Sequence, residues 1–343
     1  MTIQGVMGPI ESASLGVTLP HEHLLFSLLP YWTPEANPEI ADRPVTQHLL
    51  ARLRATPFAC RDNLESRNPS EVVHELRLFK EAGGATCVEL TNQVMGRDIA
   101  SLRWVAERTG VQIIVGTGFY VHAYHPSRLD TSDASEIAEE LVRELEEGID
   151  GTQVRAGVLG EVGAQTHPMH PKEVLVLQAT AIAQKVTGAP IFVHPAPASP
   201  ESAFEIVDVL DAAGADLTRV AVSHLDVRFR DDLRLHRDLA GRGVWLSLDT
   251  FGRELYWRKT GRQHPSDEER VRLTLALLDA GLGDQLLLSH DICFRHELSI
   301  HGGHGYSHLL VDIASRLRAA GISDEDMRRL FVSNPRRVLV GVD

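Results

Sequence analysis

The feature that most restricts this chain is a repeat of pattern rather than of residues. A short, almost wholly apolar run is followed by a longer amphipathic stretch, and this recurs along the chain. The apolar runs are 16–20, 85–90, 111–116, 156–160, 190–193, 219–223, 244–248 and 285–289. Runs without polar alternation are what parallel strands buried on both faces require. The stretches 136–147, 172–186, 203–213, 268–280 and 306–320 carry apolar residues at i, i+3, i+4 and i+7, the pattern of a helix with one buried stripe. Ala213-Gly214, Ala280-Gly281 and Ala320-Gly321 supply helix stops. Eight strands with intervening helices predict an α/β fold, a (β/α)8 TIM barrel, which takes about 250 residues.

The chain has 343 residues, and the excess has visible homes. One is a long loop insertion at 27–70, after the first strand. The others are 252–266 and 296–305, late in the chain. The first 15 or so residues read as a short N-terminal β extension. No Pro/Gly/Ser linker divides the sequence, so 1–343 reads as a single domain. No G-x-G-x-x-G opens a helix after the first strand, which leaves a dinucleotide site without support.

Composition removes other classes. Asp and Glu outnumber Lys and Arg, 47 to 34, for a net charge of −13. An acidic chain lacks the basic stripe that nucleic acid needs and is repelled by anionic membranes. No apolar run reaches the ~20 residues of a membrane span. Met1 to Pro20 has no basic start and carries Glu11, so it is not read as a signal peptide. Cys60, Cys87 and Cys293 are scattered and make no disulfide framework, which points to the cytoplasm.

The chemistry sits where the apolar runs stop. The first ends in His21-Glu22-His23, the fourth in Gly160-Glu161, the fifth in His194, the sixth in His224-Leu225-Asp226 and the eighth in His290-Asp291. In a barrel these ends converge on one rim, where active sites form. With 17 histidines, one chance H-x-H is expected, roughly, so a single pair proves little. A set at five strand ends is different. Four imidazoles and two carboxylates brought together repel or desolvate one another unless cations lie between them. His21 and His23 project to the same side of an extended segment and can grip one ion. Glu161 has two oxygens and can bridge two ions. Asp291 can bind an ion and also accept a proton. His194 and His224 complete the second ion. Such ligands suit Zn2+ first, with Mn2+, Co2+ or Fe2+ as alternatives.

Thr18-Leu19-Pro20-His21-Glu22-His23, Gly160-Glu161-Val162-Gly163, His194, Ser223-His224-Leu225-Asp226, Asp291 and Gly302-Gly303-His304-Gly305-Tyr306-Ser307-His308 together resemble the phosphotriesterase family of the amidohydrolase superfamily, over essentially the whole chain. The likeness is to its phosphotriesterase-related, or resiniferatoxin-binding, branch. It implies a distorted barrel with a binuclear centre. His21, His23 and Asp291 would hold the buried ion, and His194 and His224 the more exposed one. It implies a hydroxide bridging the ions and a homodimer. Two departures steer the chemistry. The organophosphate enzymes bridge their metals with a carbamylated lysine, and no lysine lies between Asp150 and His167, so Glu161 takes that role. They also place a histidine after the seventh strand, where this chain has Leu248-Asp249-Thr250. Hence the expected reaction is hydrolysis of a small carboxyl-type substrate: a lactone, ester or small N-acyl amide. Phosphotriester hydrolysis ranks second, and a non-catalytic metal-containing ligand-binding protein is the reading of another class.

Other residues carry weaker expectations. Tyr120 either lines the substrate pocket or packs. Asp226 either orients a ligand or caps and pairs with Arg228 or Arg230. Glu89 is read as structural or substrate-facing, Glu22 as structural and Asp98 as a helix cap. His301, His304 and His308 either make a third metal site or, the favoured reading, belong to a loop ordered by hydrogen bonds beside the pocket. Trp32, Tyr256 and Trp257 wall a pocket or an interface.

Overall fold

The computed structural model describes residues 1–196, 199–228, 232–257 and 262–341. Every expected strand is present and parallel to its neighbours: β1 (Thr18–Glu22), β2 (Thr86–Glu89), β3 (Gln112–Thr117), β4 (Val158–Gly163), β5 (Ile191–His194), β6 (Val220–Val222), β7 (Trp245–Leu248) and β8 (Leu286–Leu288). They lie side by side in chain order, as right-handed β-α-β units dictate.

Side chains close the seam between β8 and β1. Glu22 accepts from the Ser289 hydroxyl (2.8 Å), the His290 amide (2.9 Å) and His290 Nδ1 (2.7 Å), while the His21 amide donates to Ser289 Oγ and the Asp291 amide to the His21 carbonyl. Glu22 is therefore structural, as expected, and its carboxylate fixes the two strand ends that carry His21, His23 and Asp291.

The helices of the repeating units are α1 (Pro69–Glu81), α2 (Ile99–Thr109), α3 (Ala134–Glu146), α4 (Pro171–Thr187), α5 (Glu201–Ala212), α6 (Arg234–Gly241), α7 (Asp267–Asp279) and α8 (Ala314–Ala319). Their starts are encoded locally. Asp98 caps α2 through the Ser101 amide, and Asp133 with Glu136, and Ser266 with Glu269, form capping boxes. The last helix is shorter than its periodicity suggests. A π turn, Leu309–Ile313, precedes α8, and Tyr306 leaves the helix to donate its hydroxyl to the His23 carbonyl at 2.7 Å.

Two apolar layers follow from strand alternation. Val88, Ile114, Val158, Phe192, Ala221 and Leu287 fill the barrel with Ile3 and Ile10 of the N-terminal hairpin, Thr2–Gly5 with Gly8–Glu11. The larger layer packs strands against helices, for example Ile113 and Val115 of β3. The 27–70 insertion is pinched at its base by a short antiparallel pair, Phe26–Ser27 with Glu65–Ser66, and has its own small core of Ile40, Val45, Leu53, Ala59 and Cys60. Among the described residues no helix is long and apolar enough to cross a membrane.

Candidate metal centre

The six rim residues expected from the sequence come together. His21 is fully buried, and Glu161, His23, Asp291 and His224 are all nearly so. Two overlapping groups have ligand atoms within 4.8 Å of one another: His21, Glu161 and His224; and His21, His23 and Asp291. His194 joins through Nδ1, which lies 3.0 Å from Glu161 Oε1 and 2.8 Å from His224 Nε2.

Each side chain arrives by a local device. Glu161 follows Gly160, whose φ of +143° and close approach to the Phe192 carbonyl leave no room for a Cβ. The β4–β5 register shifts between Leu159 and Val162. That irregularity turns Glu161 inward. The Asn92 side chain holds the Glu161 carbonyl at 2.8 Å. His224 and Asp291 both sit in left-handed backbone, φ +59° and +52°, just past their strands. Such conformations in non-glycine residues cluster where a site demands a particular aim.

The fit to metal is visible in the imidazoles. His21 Nδ1 lies 3.0 Å from Asp249 Oδ2, and His224 Nδ1 lies 2.8 Å from Asp249 Oδ1. A carboxylate only accepts, so Asp249 takes the Nδ1 proton of His224 and leaves that ring's Nε2 facing inward, while His21 Nδ1 also lies 3.1 Å from Ser223 Oγ. His21 Nε2 is buried with no hydrogen-bond partner, and faces Glu161 at 3.5 Å and Asp291 at 3.6 Å. A ring nitrogen between two buried carboxylates asks for positive charge there, as a proton or as a metal ion. His23 is oriented through Nδ1 by Thr91 Oγ1 (2.9 Å), and its Nε2 lies 3.2 Å from Asp291 Oδ1. Electrostatics say the same. Burial alone lowers the pKa of His21, but Asp249, Glu161 and Asp291 outweigh it and raise it to about 9. Burial pushes Glu161 up, yet the positive field of His194 and His21 holds it well below the usual carboxylate range. The pocket already prefers positive charge next to its carboxylates.

Three participants were missed by sequence reasoning. Asp249 ends β7 at the rim, as ligands end the other strands, but was read only as an absent histidine. Arg253 donates from Nη1 to Asp291 Oδ2 at 2.7 Å and from Nε to Glu297 at 2.8 Å, and it opposes the burial that would raise Asp291, holding that carboxyl well below its usual range. An aromatic wall also runs outward from His194 through Tyr120, Tyr124, Tyr31, Phe58 and Phe294, with ring centroids 5.0–5.8 Å apart. Tyr31 and Phe58 come from the insertion, whose irregular pattern gave no sign of where it folds.

Tyr120 is at the site, its hydroxyl 3.4 Å from both ring nitrogens of His194. Asp226 is a correction. It orients no ligand, and its oxygen Oδ2 takes hydrogen bonds from Arg270 Nε (2.8 Å) and from the Thr250 amide and hydroxyl. An ion pair is present, but its partner is the fully buried Arg270 of α7. Arg230 and the side chains of Arg228 and Trp257 lie outside the described residues. Glu89 is buried, accepts from the Leu24 amide and is pushed up to about 7 by burial, a structural role. Trp32 donates to the Ala59 carbonyl within the insertion, and Tyr256 is exposed.

Comparison with known proteins agrees with this geometry. The model of the phosphotriesterase family matches residues 1–339. The chain belongs to the phosphotriesterase family. Members of this family work with a binuclear metal centre, and the rim cluster offers a ligand set for one. N-acetyltaurine hydrolase of Rattus norvegicus is 36% identical over 342 residues, 98% of this chain and 97% of that protein. A resiniferatoxin-binding protein from Rhodobacter sphaeroides superposes with a TM-score of 0.95 at 35% identity, covering 98% of this chain and 94% of the other. An organophosphorus hydrolase from Deinococcus radiodurans superposes at 0.76 with 31% identity, covering 99% and 97%.

Proposed function

We propose that this phosphotriesterase-family hydrolase cleaves a small N-acyl amide, with N-acetyltaurine the first substrate to try. Two divalent ions, zinc first, would be held by His21, His23 and Asp291 on one side and by His194 and His224 on the other, with Glu161 able to serve both. The observation that carries the reading is the buried His21 Nε2, without a hydrogen-bond partner and facing two carboxylates, in a chain whose relatives are named N-acetyltaurine hydrolase.

Bound there, two such ions supply Lewis acidity for a carbonyl oxygen and lower the pKa of a water toward neutrality. The rest is done by the chain. Asp249 and Thr91 fix three imidazoles so that their inner nitrogens converge. Asp291 presents Oδ1 to the imidazoles and Oδ2 to Arg253. It is ionised in the resting site and is the carboxylate placed to take up the proton released during attack and return it to the leaving nitrogen. Burial keeps the Tyr120 hydroxyl protonated, its pKa raised well above the usual value. It thus donates to the substrate beside His194. The aromatic wall excludes water from the reacting groups, which strengthens every polar interaction there.

The test is turnover of N-acetyltaurine, a lactone, an ester and a phosphotriester by protein loaded with Zn2+, Mn2+ or Co2+, against a chelated sample. Metal-dependent release of taurine at the highest kcat/KM supports the amide reading. Faster lactone or ester cleavage moves it within carboxyl chemistry, and a dominant phosphotriester rate replaces it. Equal and negligible turnover in loaded and chelated protein favours a ligand-binding protein without catalysis.

A further inference from the structure

We propose a third metal site, separate from the rim centre, formed by His304, His308 and Asp312. The three are spaced at i, i+4 and i+8 where the last long loop enters the Leu309–Ile313 turn. His304 lies in the loop and Asp312 in the π turn, and the left-handed Gly305 (φ +68°) between His304 and His308 brings the two rings together. Their ligand atoms lie within 4.8 Å of one another, and the two rings are face to face, centroids 4.0 Å apart and planes 25° from parallel. Tetrahedral coordination at 2.0–2.1 Å sets ligand atoms about 3.3 Å apart. His304 and Asp312 are exposed and free to make that small contraction, while His308 is buried and fixed.

The bonding of His308 points to a cation. Nδ1 lies 2.9 Å from Asp312 Oδ2, and Nε2 lies 2.7 Å from Asp267 Oδ2. A neutral imidazole has one N–H for these two carboxylates. Asp267 is the stronger claimant. It is buried at the start of α7 and also accepts from the Gly252 amide at 2.8 Å and from Arg270 at 3.2 Å. With the proton on Nε2, the Nδ1 lone pair meets Asp312 and the open side of His304, and an ion between them resolves the contact. A carboxylate behind a ligating imidazole is the usual support for a metal-bound histidine. Two imidazoles and one carboxylate with an open position suit Zn2+, and also Co2+ or Ni2+.

The location gives the site a consequence. From His308 the contacts run through Asp267 to the Gly252 amide, and Gly252 precedes the Arg253 that holds Asp291. A Cβ at Gly252 would lie 3.2 Å from His304 and 3.3 Å from His308. An ion here would fix the 304–312 segment, which meets the loop carrying Arg253 through Asp267 and the Gly252 amide.

Zinc equivalents bound per chain, measured by isothermal titration calorimetry on the full-length protein, test the site. Wild type is compared with His304→Ala and Asp312→Asn. His301→Ala is the control, because His301 faces Glu71 instead. Wild type and the control should bind one equivalent more than either variant, and Co2+ in place of zinc should give ligand-field absorption that His304→Ala diminishes. The count is a difference, so it stands whatever the rim centre binds. Equal equivalents in wild type and His304→Ala would overturn the site and leave His308 as a protonated bridge between Asp267 and Asp312.

Discussion

The rim centre and the His304 cluster use the same side chains in opposite surroundings. The rim set comes from five strand ends far apart in sequence, nearly all of it buried. The His304 set comes from nine consecutive positions, with two of its three members in water. Burial makes the difference. At the rim, water cannot relieve carboxylates facing lone pairs, so the fold calls for cations and invests Asp249, Thr91 and Arg253 in holding the geometry. At His304, solvent competes with any ion, and one supporting carboxylate, Asp267, suffices. The rim should therefore bind metal tightly and fail sharply when cut, whereas the outer cluster should bind weakly and fail alone.

The sharpest way to break this contrast is Glu161→Gln. It removes the shared charge from the buried set and should cost roughly 10³-fold or more in kcat/KM, with loss of rim metal read by elemental analysis. Retention of both metal and turnover would end the role of Glu161 as bridge. Asp249→Asn tests the support instead of the ligand. The amide can turn its N–H toward an imidazole, releasing the tautomer that His21 and His224 need, and metal affinity in a competition titration should fall about 10–100-fold.

Acid sharpens the comparison differently. Burial holds His296, beside the His304 loop, at a pKa of about 3 against 6.5 when free. Between these values the unfolded chain takes up a proton that the folded chain refuses. Stability is thus complete above pH 6.5 and declines as pH falls toward 3. Between pH 6.5 and 4.5 the loss from this residue is about 2 kcal/mol, and His296→Gln should show a correspondingly shallower decline in denaturant melts. The smallest effect belongs to His304→Ala. Rim metal content should be unchanged and amide turnover should fall by no more than about fivefold, because the cluster reaches Arg253 only indirectly, through Asp267 and the Gly252 amide. A collapse of rim metal in this variant would show the two clusters to be one.

Much of this was legible in the sequence, for physical reasons. A parallel barrel strand is buried on both faces, so its apolar run and its polar end stand out, and the six residues expected at the rim do come together there. Glu161 was recognisable as the bridge because no lysine competes for the role. What escaped was whatever depends on chain reversal or on distant packing. For Asp226 an ion pair was one of the two roles expected, but its partner, Arg270, lies 44 residues on and is brought to it only by the packing of α7. Asp249 was overlooked because it supports ligands rather than being one. Arg270 lies on α7 with the pattern of a charged surface residue, yet it is fully buried between Asp226 and Asp267. The aromatic wall needs the 27–70 insertion to fold over the barrel mouth, and nothing in its composition fixes how it does so.

The most direct test of the central claim is an anomalous difference map from a crystal of the zinc-loaded protein, recorded across the zinc edge. The account predicts two strong peaks at the barrel rim, one among His21, His23 and Asp291 and one between His194 and His224, with Glu161 touching both. A map with no peak among these six residues, from protein that binds zinc in solution, would contradict it.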